Sequence, residues 1–286
     1  MKGKGRPFGR NKKSGPHKSK PQPPGYDVFD PNKKGGNKRL KSKRQAKSED
    51  IRLNKFIANA GVCSRREADS LIESGKIKVN GKVVKELGAK VMRSDKVTYQ
   101  GKILNPEKLV YVLLNKPKDF ITTTNDPRDR KTVMQLVKNA CDERIVPVGR
   151  LDRNTTGLLL LTNDGELADK LTHPKNQIVK VYQVDLDKPI SENDLARLGE
   201  GIELEDGLAS ADNVAILSAD KAILGLEIHM GKNRIVRRMF EAMGYDVIRL
   251  DRVMFAGLTK KDLNRGRWRY LSEKEVIRLK YLNKKY

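Results

Sequence analysis

A single carboxylate between two cations is the arrangement in this chain that could do the most chemistry. In PVGRLDRNTTGLLLLTNDGELADKL, from Pro147 to Leu171, Asp152 stands between Arg150 and Arg153, ahead of Asn154, Thr155, Thr156 and Gly157, at the mouth of an apolar run. A loop residue at the end of a buried strand is held by that strand yet open to a cleft. An acid flanked by guanidinium groups is expected to stay charged at neutral pH. In that state it can serve as nucleophile or base and cannot donate a proton. The same residues would equally suit a structural ion pair or a turn cap, and surface ion pairs are common and weak. From this loop alone the two readings stand level.

The elements around the loop read as strands and helices in alternation. VYVLLNKP is a near-continuous apolar strand stopped by Pro117; RIVPV and GLLLLT flank the Asp152 loop; DGELADKLT follows as a helix. IVKVYQVDLD, ASADNVAILS, AILGLEIHMG and YDVIRLDRVMFAGL read as strands, and SENDLARLGEG as a capped helix. KNRIVRRMFEAMG places Ile235, Val236, Met239, Phe240 and Met243 on one helical stripe, with Gly244 as stop. SEKEVIRLKYLN opens with Ser272 and has Glu275 three residues on, a capping box. Hairpins with interleaved helices predict an α+β domain over residues 108–286, built on a mixed or antiparallel sheet.

Composition points to a polyanionic partner. The 286 residues carry 60 Lys and Arg against 36 Asp and Glu, a formal net charge of +24. Such a balance bears on partners and solubility and favours nucleic acid first. The apolar run GLLLL is far shorter than the ~20 residues of a spanning helix, and the basic start has no apolar signal core, so a cytoplasmic protein without membrane association is expected. Cys63 and Cys141 fit small packed thiols in a reducing compartment. His17, His173 and His229 are scattered, without zinc-ligand spacing. Residues 1–48 hold 16 Lys and Arg against Asp27 and Asp30, with six prolines and seven glycines, and are expected to form a disordered basic tail. An arm lying along phosphates and a solubilising tail are both consistent with it.

Between tail and larger domain, residues 50–104 read as a compact αα-ββ unit. IRLNKFIANAG has helical spacing at Ile51, Leu53, Phe56, Ile57 and Ala60 and ends at Gly61. SRREADSLIESG pairs Ser64 with Glu67 in a capping box and closes at Gly75. IKVNGKVV is two alternating runs joined by Asn80-Gly81, a strong hairpin signal, and DKVTYQGKIL reads as one further strand. Arg65 and Arg66 begin the second helix, where cations oppose the helix dipole, and a bound RNA backbone would account for them. With Arg52, Lys55, Lys76 and Lys78 they make an expected RNA-binding set. RLNKFIANAGVCSRREADSLIESGKIKVNGKVV resembles the S-four RNA-binding module, over about fifty residues.

A second resemblance bears on Asp152. GRLDRNTTGLLLLTNDGELADKL resembles the catalytic motif of pseudouridine synthases of the RsuA/RluB/RluF family. It implies that Asp152 is the catalytic residue. KVYQV resembles that family's tyrosine strand and maps its active-site Tyr onto Tyr182; GKNRIVRRMFEAMG resembles its arginine motif and maps the Arg that pairs with the Asp onto Arg237. YVLLNKPKDF resembles its early Asn-Lys-Pro segment, and Lys116, Arg150 and Arg153 join the expected RNA-binding cations. Many members carry Gln where this chain has Ile235.

The resemblance implies conversion of a specific uridine of ribosomal RNA to pseudouridine, without cofactor or metal, by a protein expected to act as a monomer. The segment RGRWRYLSEKEV looks more like the RluB branch, which favours large-subunit RNA. A noncatalytic RNA-binding ribosome-assembly factor would share the tail and the helix-end arginines but would not require Asp152, Tyr182 and Arg237. A glycosidase or nucleosidase would employ two carboxylates at set separation, and one acid here has a convincing setting.

Overall fold

The computed structural model describes residues 50–282, so the basic tail at 1–48 lies outside the described residues. The first unit has helices Leu53–Asn59 and Arg65–Glu73. Ser64 caps the second helix reciprocally: its Oγ accepts from the Glu67 N–H at 3.3 Å, and its own N–H donates to Glu67 Oε2 at 2.7 Å. Strands Ile77–Val79 and Lys82–Val83 form a hairpin whose turn residues, Asn80 and Gly81, both have positive φ, 50° and 82°. That is the conformation an Asn-Gly pair supplies at least cost. The segment read as one further strand is instead a second hairpin, Val97–Tyr99 with Lys102–Ile103, turning at Gln100-Gly101. Ile51–Arg52 also pairs with Lys90–Val91. Leu53, Phe56, Ile57, Ala68, Ile72, Ile77, Val91 and Val97 form this unit's own core.

The second unit is a mixed sheet with helices on both faces. Its strands run in the order Asn213–Ile216, Ile223–Ile228, Lys180–Leu186, Val247–Phe255, Thr155–Thr162, Tyr111–Lys116 and Trp268–Tyr270. Val247–Phe255 and Thr155–Thr162 lie parallel; their other ladders in this order are antiparallel. Double coverage explains the uninterrupted apolar runs. Val112, Leu114, Leu159 and Leu161 face one core with helices Glu192–Glu200 and Ile235–Ala242, while Tyr111, Leu113, Leu158 and Leu160 face the other with helices Gly165–Thr172 and Glu273–Tyr281. A sheet buried on both faces needs no polar phase. The strand Trp268–Tyr270 and the helix Val133–Val137 carry no clear periodic signal in the sequence, and the strand expected at RIVPV is reduced to Val146–Pro147.

The parallel pair is the seam on which the Asp152 loop sits. Thr155, Thr156 and Gly157 lie beside Leu250, Asp251 and Arg252. Gly157 has φ +109°, and a Cβ built on it would stand 2.3 Å from the Arg252 carbonyl oxygen and 2.5 Å from its nitrogen. Only glycine permits that approach. Thr156 Oγ1 donates to Asp251 Oδ1 at 2.9 Å, and Asp251 takes a bidentate contact from Arg265, both bonds at 3.0 Å, together with Lys260. Burial pushes the Asp251 carboxyl up, but these two cations outweigh it and hold the group below the usual carboxylate range.

Candidate active site

The Asp152 loop is held at its neck by a buried ammonium. Lys116 ends the Tyr111–Lys116 strand with its side chain fully enclosed. Its Nζ donates to the carbonyls of Pro117 and Asp152 at 3.1 Å, Arg153 at 3.2 Å and Thr155 at 2.7 Å. Burial pushes this ammonium down to about 8, so it keeps its proton at neutral pH. The expectation that Lys116 binds RNA is therefore corrected. An ammonium with no path to solvent cannot meet a phosphate, and its donors are spent on the loop backbone. From the other side Thr122 Oγ1 donates to the Leu151 carbonyl at 2.8 Å, and the Thr155 N–H donates to the Asp152 carbonyl at 3.1 Å.

What this neck presents is the Asp152 side chain, about one-third exposed (31%), on the wall of a cavity of about 400 Å³. Tyr182, Ile235, Leu250 and Phe255 give the cavity an apolar lining. Tyr182 pairs directly with Arg252 across the sheet, so Asp152 from its loop and Tyr182 from its strand reach one space. Ile235 sits on the same wall and adds an apolar surface. Lys180 lines the cavity too, donating from Nζ to the carbonyls of His229 at 2.5 Å and Met230 at 3.3 Å. Burial first, and the nearby Arg252 guanidinium second, push Lys180 down to about 8.

The cations facing Asp152 are not the ones expected. Among the described residues its ion pair is with Arg234, whose Nη1 lies 4.0 Å from Asp152 Oδ2. Arg234 is the left-handed residue (φ 45°) that opens the Ile235–Ala242 helix, and its Nη2 also meets Glu241 Oε1 at 3.0 Å. Arg237, expected to pair with Asp152, is buried one turn further on and donates from Nη1 to the Val247 carbonyl at 2.6 Å, with Nε unpartnered. Burial pushes its guanidinium below the ordinary value and Arg234 adds to that, while the Asp152 charge acts in the opposite sense. Arg237 thus feels Asp152 without contacting it. Of the two flanking arginines, Arg153 meets Asp119 at 3.3 Å, and Arg150 lines the cavity mouth.

A second cleft of about 450 Å³ shares Arg150, Leu151, Asp152 and Arg234 with the first and adds Arg130 and Arg153. In the small unit Arg52, Arg65, Arg66, Lys76 and Lys78 are exposed, free to meet a backbone. Lys55 differs: its Nζ bonds Glu166 Oε1 at 2.6 Å, a contact between the two units rather than an open cation. Glu107 strengthens that junction, donating from its N–H to the Asn59 carbonyl at 2.8 Å and accepting from the Arg144 N–H at 3.1 Å. Sequence reasoning passed over Arg234, Lys180 and Arg252. A signal existed for Arg252, which shares strand parity with buried Leu250 and so puts a cation in an apolar row.

The family model described as RNA pseudouridylate synthase matches residues 110–242, and that of the S4 domain matches residues 51–97. Ribosomal large subunit pseudouridine synthase B of Bacillus subtilis (strain 168) is 49% identical over 236 residues, 81% of this chain and 96% of that protein. The dual-specificity RNA pseudouridine synthase RluF of Salmonella typhi is 35% identical over 231 residues, 80% of this chain and 78% of that protein. A solved pseudouridylate synthase superposes with TM-score 0.57 at 31% identity, over 80% of this chain and 99% of the other. With both units matched in order and relatives up to 49% identical over four-fifths of its length, the chain belongs to the RNA pseudouridine synthases of the RsuA/RluB/RluF type that carry an S4 RNA-binding domain.

Proposed function

We propose that this enzyme isomerises a specific uridine of large-subunit ribosomal RNA, as a cytoplasmic monomer, with Asp152 as its catalytic group. The observation that carries the catalytic assignment is the shared cavity: one carboxylate, held by its backbone, facing an aromatic residue across a space sized for a base. Pockets of this volume enclose small ligands. A uridine has to leave its stack to enter. Asp152 acts at the ribose, by attack or by proton removal, while Tyr182 offers a face to the uracil, where stacking contributes about 1–3 kcal/mol. Arg234 steadies the carboxylate directly, and Arg237 adds positive potential from behind. The S4 cations and the second cleft would carry the flanking backbone, each phosphate adding about 0.7–0.9 to the salt slope.

Large-subunit RNA is favoured by the relative named for that substrate, at 49% identity. Pseudouridine mapping of ribosomal RNA from a strain lacking the gene tests this. One modified position should vanish from the large-subunit RNA and return on complementation. Loss confined to the small-subunit RNA would reassign the target.

A further inference from the structure

Two cations of the cavity, Lys180 and Arg252, stand apart from the Asp152 ion pair. Arg252 is buried, 3% exposed, and of its donors only Nε is bonded, to the Leu158 carbonyl at 2.8 Å. Its guanidinium carbon lies 4.5 Å over the Phe255 ring, and Nη2 is enclosed without a partner. Lys180 bonds two carbonyls, which leaves one of an ammonium's three hydrogens unspent. Among the described residues neither makes an ion pair within 4.0 Å, and both line the cavity with Tyr182 between them in the strand register. Lys180 lies opposite Phe255 and Tyr182 opposite Arg252. A buried cation without a counter-charge, as at Arg252, is costly to a fold, and Lys180 is half-buried on the same cavity. At the mouth, by contrast, Lys232 meets Asp206 and Arg234 meets Glu241.

The reaction creates the missing partner. Breaking the bond from ribose C1′ to uracil N1 leaves the electron pair on the ring, spread over its nitrogens and oxygens. A ring pair then joins C5 to C1′, the C5 proton departs and N1 takes one up, so composition is unchanged. Fixed positive charge aimed at charge that develops during reaction is the most effective electrostatic aid a site can give.

We propose that Lys180 and Arg252 form a cationic wall that takes up the negative charge of the uracil ring as its bond to the ribose breaks. This rests on the reading of the Asp152 cavity as the uridine site. Single-turnover rates of the full chain test it, on large-subunit RNA transcribed with uridine or with 5-fluorouridine. Fluorine withdraws electrons, so that ring carries its own charge better and leans less on the wall. It also blocks the last proton loss, so the readout on both RNAs is disappearance of the N-glycoside.

Lys180→Gln and Arg252→Gln should each slow the uridine RNA by about 10²-fold with RNA affinity held within about twofold. The deficit should shrink to about tenfold or less on the fluorinated RNA, and Arg252→Lys should retain more activity than Arg252→Gln. Equal deficits on both RNAs, or a loss seen only in affinity, would overturn the wall; the latter would make these residues phosphate holders. Should Arg252→Gln fail to fold, Lys180→Gln decides alone. Turnover by Asp152→Asn on either RNA would instead bring down the underlying assignment of the site.

Discussion

Asp152→Asn should abolish uridine isomerisation while leaving RNA affinity within about twofold of the parent. The substitution keeps shape and removes charge. An amide at this position can neither attack the sugar nor accept its proton, so the whole catalytic contribution goes at once. Losing the group that reacts typically costs about 10⁴-fold or more in rate. Folding should hardly change, because the carboxylate is one-third exposed and its ion pair with Arg234 is long, at 4.0 Å. Contacts of that kind are worth about 0–1 kcal/mol. Tritium release from RNA labelled at uracil C5 reads the chemistry, and filter binding reads the affinity. A purified variant that still turned over would remove Asp152 from the mechanism.

The second large effect belongs to Lys116, and it separates two accounts of that residue. Lys116→Met takes the donor from four carbonyls at the neck of the catalytic loop. Each acceptor left unsatisfied costs about 1–3 kcal/mol, offset in part because a buried charge disappears with it. A net loss of about 3 kcal/mol is expected. The loop it releases carries Asp152, and a misplacement of about 1 Å in a reacting group can cost about 10²-fold in rate. RNA affinity and its salt dependence should stay at parent values. Were Lys116 a phosphate ligand, the salt slope would instead fall by about 0.7–0.9. Lys116→Arg should not restore the rate, since a planar guanidinium cannot reach four carbonyls arranged around a point donor. Thermal melting, single-turnover rates and a salt titration together decide the matter.

Much of the fold could be read locally because local chemistry determines it. Both capping boxes, Ser64 with Glu67 and Ser272 with Glu275, form as reciprocal pairs. The Asn80-Gly81 turn is where positive φ demands it. Asp152 and Tyr182 were legible as motif residues, and they do share a cavity. What could not be read depends on strands meeting far apart in the chain. Nothing near Lys116 says that YVLLNK is covered on both faces, so its lysine reads as a surface cation until the sheet is assembled. Arg150 and Arg153 flank Asp152 in sequence, yet Arg153 pairs with Asp119, and the ion pair of Asp152 comes from Arg234, 82 positions on. Arg234, left-handed at the start of helix Ile235–Ala242, lines the cavity, whereas Arg237 within the helix is buried against the Val247 carbonyl.

The parallel seam also sets an order of events during synthesis. The S4 unit closes its core with residues between Ile51 and Leu104. The cavity waits for Leu250, Arg252 and Phe255, and the first strand of the large sheet, Tyr111–Lys116, is covered at its edge by the late Trp268–Tyr270. Pairings that span such separations form slowly and cannot precede the emergence of both partners. A growing chain therefore acquires its grip on RNA more than a hundred residues before it acquires a reaction chamber. Recognition is built first and chemistry last, so an unfinished polypeptide can occupy a transcript without altering it.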